Sequence, residues 1–220
     1  MSHVLVVRLD NDGDVLLAGP AIRAVAARAR RVTLLCGPRG RHAAGLLPGV
    51  DHVVEHRAEW IDPEPPPLDR DRTMRLVALL GDLAVDEAIV FTSFHQSPLP
   101  MALLLRLAGV TRVAAVSEDY PGSLLDVRHR VDDDLHEVER ALSLVAACGY
   151  RLPPGDDGRL RVRRPERGRY ALEHLVPYVV VHPGASVPAR AWQPARSAAL
   201  VDALVASGQR VAFTGGPGPA

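Results

Sequence analysis

The chain has 220 residues and a mass of 23.7 kDa, the size of one large domain or two small ones, with 26 basic and 26 acidic residues cancelling to zero net charge. Zero charge and a pI near 7.1 remove the electrostatic basis for a general nucleic-acid binder, and 47% hydrophobic against 24% charged residues excludes a disordered chain. Only 4% of residues are aromatic, too few for a surface of stacked rings.

Short apolar runs alternate with longer stretches of helical spacing. Val4–Leu9, broken only by Arg8, reads as a buried parallel strand, followed by a Gly-Asp turn and a helix over Val15–Arg30. Val32–Cys36 is a second strand, Arg39–Leu47 a short helix ending at Pro48-Gly49, and Val50–Glu55 a third strand. Asp62–Asp71 is a proline-rich acidic loop. Helix Leu68–Leu83, strand Glu87–Phe91, helix Pro98–Ala108 and strand Arg112–Val116 continue the alternation, which predicts a doubly wound α/β sheet.

Asp132–Ala147 is predicted as a helix with three aspartates at its N-terminus, where the dipole favours anions. Asp132, Asp133, Asp134, His136 and Glu137 are better read as capping residues than as a metal cluster, because adjacent helical positions face different ways. Periodicity is lost over Gly149–Gly168, and the arginines there read as a solvated linker sooner than a membrane-binding patch. It restarts with strand Tyr178–His182, helix Pro194–Ser207 and strand Arg210–Thr214. The expected organisation is an N-terminal domain over 1–149, a linker over 150–176 and the incomplete start of a C-terminal domain over 177–220.

The setting is expected to be the cytoplasm. Cys36 and Cys148 lie far apart without metal-type spacing, as suits a reducing compartment. Arg8, Asp10, Asp12 and Asp14 come too early for a signal peptide, and no run of 18 apolar residues occurs. Lysine is absent, a compositional bias rather than a phosphate-binding specialisation.

Ligands of open parallel sheets bind where strand ends meet helix N-termini, and three loops satisfy that rule. Leu9-Asp10-Asn11-Asp12-Gly13-Asp14-Val15-Leu16 is neither a Walker loop nor GxGxxG, and presents three carboxylates in five residues. The plainer reading makes Asp14 a first-turn helix acid and Asp10 and Asp12 solvated turn residues. The sharper one makes a carboxylate here a general base at the mouth of a cleft. In His182-Pro183-Gly184-Ala185-Ser186 through Arg190-Ala191-Trp192, small residues let backbone N–H groups approach a ligand, and Arg190 offers a fork to phosphate oxygens. Alternatively Arg190 is a surface arginine and Trp192 a core anchor. Thr214-Gly215-Gly216-Pro217-Gly218 is a third, glycine-rich turn.

Taken in order, Arg8-Leu9-Asp10 with Gly13-Asp14-Val15-Leu16, His182–Ser186, Arg190-Ala191-Trp192 and Thr214–Gly218 resemble glycosyltransferase family 9, which includes the ADP-heptose:lipopolysaccharide heptosyltransferases. His136-Glu137-Val138-Glu139-Arg140 resembles that family's interdomain helix. The resemblance implies a GT-B fold: one complete Rossmann-like acceptor domain here, plus the beginning of a nucleotide-sugar domain. It implies metal-independent, inverting transfer of a sugar such as heptose from a nucleoside diphosphate to a cell-envelope glycan, with no cofactor beyond a donor such as ADP-heptose.

Asp14 maps onto the family's catalytic base. Ala185, Ser186, Arg190, Gly215 and Gly216 map onto the donor-phosphate loops, and Asp10, Gly13, Ser93, His95 and Gln96 would meet the acceptor. Three departures stand out. Ser93-Phe94-His95-Gln96-Ser97 differs from the better-known heptosyltransferases, and reads either as a different acceptor pocket in which His95 and Gln96 donate to sugar hydroxyls or as a polar loop with a solvated histidine. Arginine replaces the more usual lysine at 190, and the family's later Asp-Thr-Gly-Pro type motif is missing. The resemblance also implies contact with the inner face of the membrane. A different class of reading, a truncated and catalytically silent α/β binding module, stays open at this point.

Overall fold

A computed structural model describes residues 2–132, 134–163, 176–185, 189 and 191–215. The chain divides into two compact units, 1–164 and 165–220.

The first unit is built on β1 (His3–Arg8), whose six residues are all buried, as a continuous apolar run demands. The expected single helix over 15–30 is two helices, α1 (Asp12–Leu17) and α2 (Gly19–Ala26). Pro20 is the reason: lacking an N–H, it is tolerated in a first helical turn but not mid-helix. Next come β2 (Arg31–Cys36), a 3₁₀ turn at Pro38–Gly40, α3 (Arg41–Leu46) and β3 (His52–Glu55). The Asp69 side chain accepts the Arg72 N–H at 2.6 Å and caps α4 (Arg70–Asp82). β4 (Glu87–Val90), α5 (Leu99–Leu107) and β5 (Arg112–Val116) follow as predicted.

β6 (Val127–His129) was not anticipated: it is three residues long, half-exposed and carries Arg and His, as an edge strand can. α6 (Glu137–Ala147) begins five residues later than the predicted helix. His136 caps it by accepting the Val138 N–H at 3.2 Å, so Asp132 and Asp134 precede the helix. Asp133 lies outside the described residues.

All six strands are parallel, in the order β3-β2-β1-β4-β5-β6. Side-chain alternation sends Val4 and Val6 into the core shared with α2 and α6, and Leu5 and Val7 into the core shared with α4 and α5. Much of the stretch expected as linker is fastened to this unit. Tyr150 is buried, Leu152 packs on the core, and Arg23 forms two hydrogen bonds to Asp156, at 2.7 and 2.8 Å. Arg163 donates to the carbonyls of Leu46 and Val50.

In the second unit β7 (Val179–Val181) and β8 (Val211–Phe213) pair in parallel, with α7 (Pro194–Ala206) between them in sequence. These elements match the predicted ones. No helix among the described residues is long and apolar enough to cross a membrane.

Candidate functional site

The carboxyl edge of the large sheet gathers most of the residues singled out in the first unit. Arg8 ends β1 with its side chain only 4% exposed, and a buried guanidinium requires anionic partners. Its Nε lies 2.9 Å from an Asp10 oxygen, though misaligned for a hydrogen bond. Its NH2 nitrogen lies 3.2 Å from Asp14 Oδ1 and 3.6 Å from Glu137 Oε2, and donates to Ser93 Oγ at 2.9 Å. One cation thus meets three carboxylates, drawn from the β1–α1 loop, α1 and α6.

Asp10 and Asp14 differ sharply. Asp10 is buried, and both its oxygens are engaged: the Gln96 amide donates to Oδ1, and Ser93 Oγ to Oδ2 at 3.2 Å. Gln96 in turn accepts the Ser93 backbone N–H at 3.0 Å. Asp14 keeps 29% of its side chain exposed, and its second oxygen accepts only the Asn11 N–H, at 3.3 Å. Asp12 is committed elsewhere, accepting the Ala43 N–H at 3.0 Å.

Two cavities flank the Asp10–Gln96 pair. One, of about 220 Å³, is lined by Asp10, Asn11, Arg39, Arg57 and Gln96. The other, of about 270 Å³, is lined by His95, Gln96, Glu118, Asp119 and Arg140. On the wall of the first, the Arg57 hydrogen bond and then the Glu64 N–H hold the Asp62 carboxyl below its ordinary range. His95 is exposed, its ring edge-on to Phe94 at 4.6 Å, and Gly13 is exposed with open space where a Cβ would stand.

Both thiols are ill suited to nucleophilic chemistry, since burial pushes Cys36 and Cys148 up to about 11. Among the described residues, no group of three His, Cys, Asp or Glu is arranged to hold a metal ion.

In the second unit, β7 and β8 end side by side. His182 Nδ1 lies 3.0 Å from Thr214 Oγ1, and the Thr214 N–H donates to the Val181 carbonyl at 3.0 Å. Ala185 and Gly215 follow these strand ends and are exposed. Ser186, Arg190 and Gly216 lie outside the described residues. Trp192 does not anchor a core: it is 57% exposed and borders a cavity of about 510 Å³ with Val180, His182 and Leu200.

Residues 75–219, well over half of the chain, match the model of glycosyltransferase family 9 (heptosyltransferase). The chain belongs to glycosyltransferase family 9. No curated protein matches the sequence. Among solved structures, the chain is similar to a family 9 glycosyl transferase from Veillonella parvula, with TM-score 0.71 and 16% identity over 98% of this chain and 63% of that one. It is also similar to E. coli ADP-heptose lps heptosyltransferase II, with TM-score 0.71 and 18% identity over 98% and 65%. E. coli heptosyltransferase WaaC with ADP gives TM-score 0.65 and 18% identity over 98% and 67%. At these identities the likeness carries the fold, and the chain spans about two thirds of these relatives. The family match starts at residue 75, so the Asp14 loop lies outside it, and there the structural likeness speaks for the fold alone.

Sequence reasoning marked Asp10, Asp14, Ser93 and Gln96, which do come together. It placed Arg8 in a family motif and in an apolar strand, and Glu137 in a capping cluster and the family's helix pattern, but gave neither a site role and did not pair them. The missed signal was a charge inside an apolar parallel strand, which must find a counter-charge.

Proposed function

We propose that this chain serves inverting sugar transfer from a nucleoside-diphosphate donor, with Asp14 as the general base. The carrying observation is the Asp14 carboxylate itself: held by Arg8, partly open to solvent and placed at the strand ends of a family 9 chain. In this reaction an acceptor hydroxyl gives its proton to Asp14 as its oxygen bonds to the anomeric carbon. The bond from that carbon to the diphosphate oxygen breaks on the opposite face, and the nucleoside diphosphate leaves with the electron pair.

The donor chemistry is proposed for the second unit. Arg190 and the backbone around Ala185, Ser186, Gly215 and Gly216 would take up the diphosphate's charge, so that no metal is required. The strand order β3-β2-β1-β4-β5-β6 supports the Rossmann-like reading of the first unit and, with the family, a GT-B enzyme working in the cytoplasm. Related structures are described with ADP and with ADP-2-deoxy-2-fluoro heptose, which supports an ADP-linked heptose as donor. Asp10, Gly13, Ser93, His95 and Gln96 border or lie beside the two cavities proposed for a glycan acceptor. Asp10 and Gln96 shape that site through their mutual bond.

The test is ADP release from ADP-heptose with an envelope-glycan extract as acceptor, with and without EDTA. Turnover unaffected by EDTA and abolished in Asp14→Asn is expected; an Asp14→Asn protein within tenfold of wild type removes Asp14 from this role. The second reading is a catalytically silent binding module. Calorimetry with ADP separates the two: saturable binding without turnover supports the silent module.

A further inference from the structure

We propose that Arg8 is the positioning residue of this site, holding the Asp14 carboxylate for proton transfer, with Glu137 competing for the same guanidinium nitrogen. The proposal rests on the reading of Asp14 as the base.

A guanidinium terminal nitrogen carries two hydrogens, and three oxygens lie around NH2 of Arg8: Ser93 Oγ at 2.9 Å, Asp14 Oδ1 at 3.2 Å and Glu137 Oε2 at 3.6 Å. The Ser93 bond uses one hydrogen. The other faces Asp14 and Glu137, which pair with Arg8 as ions without an aligned hydrogen bond, Asp14 being the nearer. Nε lies beside Asp10 without a hydrogen bond, so one planar guanidinium sets its charge between the buried carboxylate and the exposed one.

Asp10 is buried and each of its oxygens already accepts a side-chain hydrogen bond, so an incoming hydroxyl has far less access to it than to Asp14. Asp14 has a single long contact to each oxygen, so it is oriented while keeping lone pairs free. A base needs both properties, and Arg8 supplies the first. Lysine at this position would bring one nitrogen, which cannot serve Asp10 and Asp14 from two sides.

The experiment uses the full chain with ADP-heptose and the glycan extract, alongside ¹³C NMR of the aspartate side-chain carboxyls. The Asp14 signal is assigned by its loss in Asp14→Asn. Arg8→Gln is expected to lower kcat about 100-fold through misplacement of the base, with KM within about threefold. Placed on Asp14→Asn, the same change should cost little more, because the two residues act as a unit. Arg8→Lys should recover part of kcat.

Arg8→Gln should also move the Asp14 carboxyl resonance. Glu137→Gln, which leaves Arg8 in place, should move it in the opposite direction by handing the shared hydrogen to Asp14. Equal losses from Arg8→Gln in both backgrounds, or an Asp14 resonance that neither variant moves, overturns the proposal. If the unmodified chain shows no turnover, the assignment of Asp14 as base falls, and the resonance arm alone decides whether Arg8 holds that carboxylate.

Discussion

At the amino edge of the large sheet, buried Glu87 receives the Tyr150 hydroxyl at 2.7 Å on one oxygen and Arg112 Nε at 2.9 Å on the other. At the carboxyl edge, buried Arg8 faces Asp10, Asp14 and Glu137 at once. The first network is closed, with one acid, one cation and a donor for each oxygen. Burial, and then the bond to Glu87, push Tyr150 up to about 12, so its proton stays in place. The second network holds three acids around one cation, with Asp14 and Glu137 only partly covered. A balanced network around one buried acid fastens the sheet to its own chain even with the Arg112 side chain half exposed. An unbalanced one, open to solvent, has capacity left for a substrate.

If that contrast is right, substitutions at the two edges should separate activity from stability. The largest effect expected is in Asp14→Asn, a loss of about 10³-fold in turnover, the scale of general-base catalysis, with an unchanged melting midpoint. A parallel fall in melting temperature would place Asp14 among the fastening groups instead.

Next in size is the clasp between Arg23 and Asp156, both nearly buried. Arg23→Ala leaves the buried Asp156 carboxylate only the Gly158 N–H and the more distant, half-exposed Arg161, and should cost about 3 kcal/mol in urea unfolding while turnover by the remaining folded protein persists. The same pair sets an acid dependence. The Arg23 hydrogen bonds hold the Asp156 carboxyl well below its ordinary range. Its stabilisation is therefore complete above the unfolded value of about 3.9 and is lost as pH falls from there toward the folded value. Unfolding midpoints of wild type and Asp156→Asn should differ at pH 7, and the difference should shrink steadily as pH falls below about 4.

Tyr150→Phe strands one Glu87 oxygen, at a cost of about 1–3 kcal/mol with turnover retained. The smallest effect sits away from both edges. Asp69→Ala removes the α4 cap and should cost about 1 kcal/mol by thermal unfolding. A change in turnover from either variant would blur the distinction between the edges.

Most of the fold was legible because it is written locally. Apolar runs of strand length alternating with helical spacing gave β1 to β5, α3 to α5 and the second unit's strand-helix-strand order. Where this failed, a local competitor decided: Pro20 divided one predicted helix, and the aspartates before α6 left its start to His136. β6 was illegible because an edge strand of three half-exposed residues has no apolar period to read.

The sequence by itself determined a parallel α/β sheet, an acidic loop after the first strand and motifs at strand ends, because side-chain period and turn chemistry depend on near neighbours. Tertiary structure alone decided which acid meets which cation. Arg8 meets Glu137 because α6 packs beside β5 and β6, and Arg23 meets Asp156 across 133 residues because the chain after α6 returns to α2. It also divided the roles of two aspartates four positions apart, burying Asp10 under Ser93 and Gln96 and leaving Asp14 open. Pairings and solvent access of this kind depend on where distant elements pack, and no local period in the chain encodes them.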